Sequence, residues 1–275
     1  MSARVADRAG KYLRCFRLGL QDALTHRASL LLSPLGAVAP IILQVVLWNR
    51  VYAAGAAGDT LFGFTRDEML AYAVVANLLS RLVRTGFEYE LYEDIKSGGL
   101  DRMLVQPIGY FGLRIARFAG GKLADTAVTG LCLAGSLVVL VSRTSIGARL
   151  AVLPAFALAL ILALCLNFLI FWCVGLLGFW LTETGFLFEA LRVVIVTASG
   201  GIFPLSVLGR RAEAVLALLP FRFTIQFPTE VLCGRIAPGP ALAGLALSAA
   251  WTLILAALAG RLWRSGLRRF AAVGS

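Results

Sequence analysis

Charge and histidine are what this sequence has least of. Charged residues make up 15% of its 275 positions, against roughly a quarter in a soluble chain. His26 is the single histidine, which excludes most imidazole-based metal sites. The five cysteines, Cys15, Cys132, Cys165, Cys173 and Cys233, include no C-x-x-C or other metal-spaced pair. Cys132, Cys165 and Cys173 lie in apolar runs, where cysteine acts as a small hydrophobe. No G-x-x-x-x-G-K-S/T run is present, so no P-loop holds nucleotide phosphates; Lys122 follows Gly120 and Gly121 but precedes Leu123. H-E-x-x-H and G-x-S-x-G are missing too. Glu183 and Glu189 are six positions apart and share a helix face poorly. The sequence therefore offers no catalytic, cofactor-binding or metal-binding residue. A cleavable signal peptide is not expected, because residues 1–27 are basic and amphipathic without an apolar core.

Apolar residues dominate instead, at 59% of the chain. They fall in long continuous runs, which a membrane barrel of alternating segments would not show. A bilayer core needs about 20 helical residues, and the runs predict an all-α integral membrane protein with about six transmembrane helices. These are expected at residues 28–48, 67–87, 123–141, 151–181, 186–205 and 241–263. Pro34 and Pro40 are candidate kinks in the first. Arg81 and Arg84 close the second, either snorkelling to the interface or facing a polar cavity. The run 151–181 would be about 45 Å long as a helix, and reads as one tilted span with an interfacial extension.

The net charge of +11 would suit nucleic acid. The basic residues flank the apolar runs, however, which points to membrane lipid and away from nucleic acid. Lys and Arg number six through Arg27, six from Arg84 to Lys122 and four from Arg261 onward. The alternate loops carry two, two and four. The positive-inside bias places both termini and the 88–122 segment in the cytoplasm. Leu13, Phe16, Leu20 and Leu24 recur at helical spacing, so residues 1–27 hold an amphipathic helix suited to the interface. Residues 206–240 are apolar but broken by Pro220, Pro228, Pro238 and Pro240. Their pieces are too short to span and read as re-entrant or interfacial helices on the outer side.

The 88–122 segment is the most informative. Glu88 to Tyr110 starts acidic, turns at Gly98-Gly99, continues through Leu100, Asp101, Met103 and Leu104, and stops at Pro107. This pattern predicts a helix, a turn and a short second helix. A solvated loop has no need of Ile95, Leu100, Met103 and Leu104 together, so the segment packs on its own bundle or docks a soluble partner.

The stretch Glu93-Asp-Ile-Lys-Ser-Gly-Gly-Leu-Asp-Arg-Met-Leu-Val-Gln-Pro-Ile-Gly-Tyr110 resembles the cytoplasmic loop of ABC-2 type transporter permeases. Gly200-Gly-Ile-Phe-Pro-Leu205 and Leu219-Pro-Phe-Arg-Phe-Thr-Ile-Gln-Phe-Pro-Thr-Glu-Val231 are similar to that family's outer segment, and residues 12–48 to its N-terminal run. Gly99 departs from the family's usual single glycine.

The resemblance implies the membrane subunit of a bacterial exporter in the cell inner membrane. ATP and magnesium would sit in a separate ATP-binding subunit, present in two copies, beside a second permease, identical or related. It makes the 88–122 segment an ATPase-coupling loop, with Glu93, Asp94, Ile95, Gly98, Leu100, Asp101, Met103, Leu104 and Pro107 as its residues. Gly200, Gly201, Pro204 and Pro220 become candidates for a gate or helix break; the glycines equally suit close helix packing. Cargo would pass between two permeases, lined by apolar side chains of the first, second and fifth spans, which favours a hydrophobic or amphipathic substrate. The competing readings are a membrane-embedded lipid-modifying enzyme using Asp125, Glu183, Glu189 or Arg192, an ATP-independent carrier, and a structural subunit.

Overall fold

The computed structural model describes residues 2–32, 35–54, 60–97, 99–105, 109–141, 152–181 and 185–273. The architecture is all-α. The chain opens with α1 (Ser2–Thr25), the short α2 (Arg27–Leu32) and α3 (Leu35–Ala54). A two-stranded antiparallel hairpin, β1 (Thr60–Leu61) and β2 (Phe64–Thr65), leads into α4 (Arg66–Val83). Thr65 and Glu68 start α4 with a reciprocal capping box, each side chain bonding the other's backbone N–H. Glu68 also pairs with Arg235 at 2.7 Å, and the Arg235 guanidinium lies 3.6 Å from the centre of the Phe64 ring. This end of α4 is thereby tied to the segment near the C-terminal end of the chain.

Next come α5 (Phe87–Lys96), α6 (Gly99–Leu104) and the 32-residue α7 (Tyr110–Val141). They are followed by α8 (Leu153–Gly175), prolonged by a 3-10 turn over Leu176–Phe179, and α9 (Gly185–Ala198). Between α9 and the last helix lie α10 (Arg210–Leu216), α11 (Gln226–Leu232) and 3-10 turns at Leu205–Leu208 and Pro220–Thr224. The 36-residue α12 (Pro238–Val273) closes the chain, with Pro238 and Pro240 in its first turn, where a missing N–H costs no helical bond.

Among the described residues, two helical stretches are long and apolar enough to cross a membrane, Leu153–Phe179 and Pro238–Phe270; Val38–Ala54 is apolar but shorter. Other helices depart from the expected spans. The helix expected over 67–87 ends at Val83, and Arg84 to Gly86 are non-helical. The helix expected from 123 begins at Tyr110, because Ile115 and Phe118 supply an inward stripe between Arg114, Arg117 and Lys122. The helix over 186–205 stops at Ala198, and α12 overruns 241–263 at both ends. Pro40 lies inside α3 without ending it; Pro34 lies outside the described residues.

The largest core cluster joins α5, α6, α7, α8, α9 and α12 through stacked rings. Phe87 stacks on Phe168 at 4.3 Å, and Tyr110 lies parallel to Trp263 at 5.4 Å. Such ring pairs contribute about 0.5–1.5 kcal/mol beyond area burial. α1 packs along α7 where both are glycine-thin. A Cβ on Gly19 would fall against the Arg117 carbonyl oxygen, and one on Gly120 against that of Phe16. Cys15 and Gly19 face this seam. Leu13 and Leu24, of the apolar stripe expected to lie at the interface, are about half exposed at 51% each. They are free to enter lipid, as an interfacial helix requires.

Candidate functional site

The 88–105 segment is a helix–turn–helix folded onto the bundle. Leu91 and Leu100 are fully buried and Ile95 nearly so, against Trp172, Leu176 and Phe179. The α8 backbone gives way to them at Gly175, where a Cβ would stand 2.7 Å from a Leu91 methyl. Three carboxylates of α5 are engaged. Glu90 and Asp94 both pair with the buried Arg114 of α7, and Asp94 also accepts from the Tyr110 hydroxyl. Burial first, then the bond to Asp94, raises the Tyr110 phenol above its usual range. Burial opposes the Arg114 charge, but Tyr110 and Asp94 outweigh it and hold its pKa high. Glu88, with no exposed surface, pairs with Arg192 of α9. Beside it the Tyr89 hydroxyl donates to Glu189, a bond that raises its phenol as well. α5 is therefore ion-paired to α7 on one side and to α9 on the other.

These contacts decide which loop residues face outward. Glu93, Lys96, Asp101 and Arg102 are exposed, and Val105 is 86% exposed. Ile95 and Leu100 are not available to a partner; they anchor the loop in the core, and Met103 packs partly against the same cluster. Asp94 is spent on Arg114. Gly98 and Pro107 lie outside the described residues, as does the side chain of Leu104. The second glycine has a visible role: a Cβ on Gly99 would stand 3.1 Å from Asp94 Oδ1, crowding the carboxylate that holds Arg114.

At the far end of α9 the chain breaks. Gly200 has φ +78°, and a Cβ there would lie 2.6 Å from the Tyr72 hydroxyl and 2.7 Å from Gln226 Oε1. Tyr72 donates to the Gly200 carbonyl at 2.6 Å, and the Gln226 backbone N–H donates to the Ser199 carbonyl at 2.9 Å. Gly201 faces Ser80 of α4. Pro204 and Pro220 are buried and each opens a 3-10 turn. The two glycines thus permit close packing of α4 and α11 on the chain as it turns.

A cavity of about 350 Å³ lies between α3, α4, α8 and α9. Its lining combines apolar side chains, among them Phe171, Val193, Val196 and Ile225, with the polar Arg81, Arg84, Arg192, Asn77, Ser80 and Asn167. Asn167 is 2% exposed, and its amide donates to the Val83 carbonyl. Arg81 and Arg84 therefore border a cavity within the chain. Among the described residues no group of His, Cys, Asp and Glu is placed to hold a metal ion.

Residues 38–274 match the sequence model of a family described as ABC-2 family transporter protein. The chain belongs to that family. No curated protein gives a significant match. The permease assignment makes the chain a membrane component of an ABC transporter, and membership implies pairing with an ABC ATPase subunit. Arg114 and Arg192, which anchor the 88–105 segment of this permease, were not picked out from sequence. The signal was available, since four acidic residues in 88–94 within a basic protein need cations nearby.

Proposed function

We propose that this permease forms the membrane half of an ATP-driven exporter, with the α5–α6 loop as the element that follows the ATPase. The observation that carries the proposal is the double attachment of α5. Glu90 and Asp94 fix it to Arg114, and the fully buried Glu88 fixes it to Arg192 on α9. A displacement of α5 is transmitted to α7 and α9 as rigid-body movement, a common switching mode. α9 leads to the Gly200 turn and borders the cavity, so loop and pathway share one helix.

In this reading the chain spans the inner membrane about six times, both ends lie in the cytoplasm, and two permeases assemble with two ATPases. Exposed Leu43, Leu131, Leu242 and Leu253, each more than 65% exposed, would face lipid or the second permease. The ATPase would meet Glu93, Lys96, Asp101, Arg102 and Val105. The chain itself is assigned no catalysis; nucleotide chemistry belongs to the partner.

The test is co-purification with candidate ATP-binding subunits encoded beside the chain. Wild type should capture one, and Glu93→Arg with Asp101→Arg should lose it while remaining monodisperse with an unchanged melting temperature. Wild type capturing none of them would remove the coupling role and return the enzyme and carrier readings.

A further inference from the structure

The cavity beside α9 is not isolated. A second, of about 380 Å³, shares Arg81 and Arg84 with it and adds Arg117, Lys122 and Asp125. A third, of about 450 Å³, shares Arg117 and Phe118 with the second and reaches Asp22 and His26 of the interfacial region. Through these shared residues the three adjoin one another along a path from the α1–α7 seam to the cavity beside α9. Six Arg or Lys line it, against four carboxylates, Asp22, Glu90, Asp125 and Glu189.

A guanidinium at membrane depth is expensive and is kept where it faces a polar cavity or a partner. Here Arg81, Arg84 and Arg192 converge on one cavity. Arg192 Nε is buried without a hydrogen-bond acceptor among the described residues. Gly36 of α3 leaves the room that the Arg81 guanidinium fills; a Cβ there would press on the end of that side chain. The planar fork of arginine matches phosphate oxygens. The same lining includes Val193, Val196, Ile225 and Phe171, which offer an apolar surface.

We propose that this path is the entry for an amphipathic molecule bearing a phosphate-type anionic headgroup. Arg81 and Arg84 hold the headgroup, and the tail lies against Val193 and Ile225. As a cargo site this rests on the permease reading; as a binding site it stands on the cavity alone. Headgroup chemistry is common to a lipid and to free phosphate, and the apolar lining favours the tailed form.

The experiment uses the purified full chain in mixed micelles, with dodecyl phosphate, dodecylphosphocholine and inorganic phosphate as probes. Dodecyl phosphate should raise the melting temperature in a saturable way, and dodecylphosphocholine at equal mole fraction should not. Arg81→Gln with Arg84→Gln should weaken dodecyl phosphate binding roughly tenfold to hundredfold, the loss of one or two charge-assisted bonds. The double lysine variant should retain part of it. Val193→Trp narrows the cavity at a position already 64% exposed; it should abolish dodecyl phosphate binding even if the glutamine variant fails to fold.

Equal binding of both tailed probes, or binding indifferent to the arginines and to Val193→Trp, overturns the site. Inorganic phosphate matching dodecyl phosphate, with no effect of Val193→Trp, overturns the amphipath and leaves a free-anion site. ATPase capture is scored separately. Capture with arginine-independent binding sinks only this inference, and arginine-dependent binding without capture sinks only the transporter coupling.

Discussion

Glu88 and Arg192 offer the sharpest quantitative test of the proposed attachment of α5 to α9. The Glu88 side chain has no exposed surface and that of Arg192 is 17% exposed. The guanidinium also lies 5.5 Å from the centre of the Tyr89 ring and 5.6 Å from that of Phe171. Arg192→Met removes the only cation paired with Glu88 among the described residues and strands a buried carboxylate. Breaking such a pair from one side costs about 3–5 kcal/mol, or about two to four decades in the folding equilibrium. Glu88→Met should cost less, about 1–3 kcal/mol, because Arg192 keeps Glu189 at 3.8 Å and two ring faces. Replacing both by Met should bring the protein back to within about 1–2 kcal/mol of wild type, since a buried pair exchanged for apolar groups of similar volume is near neutral. The assay is a double-mutant cycle by denaturing-detergent titration, followed by tryptophan fluorescence. A double variant losing the sum of the two single losses would show no coupling and refute the pair as a buried latch. In the assembled transporter, the same double variant should keep ATP turnover and lose transport, because α5 would no longer pull on α9.

Leu100→Asp should abolish folding in detergent, since it places a charge at a fully buried core position; an unchanged melting curve would return Leu100 to the docking surface. Gly120→Val should prise α1 from α7 at a cost of about 1–3 kcal/mol, read as faster proteolysis in 1–27 and a lower melting temperature. Tyr110 has a phenol pKa raised in the fold above the usual 10.0. Its contribution to stability is complete below about pH 10 and is lost as pH climbs through the folded value. Wild type should thus lose stability progressively above about pH 10, and Tyr110→Phe should flatten that alkaline slope; equal slopes would show that the Asp94–Tyr110–Arg114 cluster does not govern it.

How much of this could be read in the chain depends on where the physical signal is local. The helix–turn–helix at 88–104 was legible because its stop signals, Gly98-Gly99 and Pro107, and its apolar spacing lie within a few residues of one another. The all-α class followed from continuous apolar runs. The length of α7 was not legible, because a scale that counts charges reads Arg114, Arg117 and Lys122 as loop. In the fold those side chains meet Asp94, Asp22 and Asp125, the first two distant in sequence. The direction in which Ile95 and Leu100 point was equally hidden. An apolar residue beside acidic ones suits a docking face as well as a core, and only their burial in the cluster with Trp172, Leu176 and Phe179 decides between them.

The same reasoning governs the arginines at the end of α4. Seen along the sequence, Arg81 and Arg84 follow an apolar stretch and suit a snorkelling helix end. What distinguishes the cavity from the interface is the company they keep: Gly36 on α3, Asn167 on α8 and Arg192 on α9, three residues from three other helices. Single-sequence periodicity carries no information about such convergence, because each of these residues is unremarkable on its own helix. A charge in a membrane helix is explained by what faces it, so its function is fixed at the level of packing, and the phosphate-probe experiment on Arg81 and Arg84 addresses that level directly.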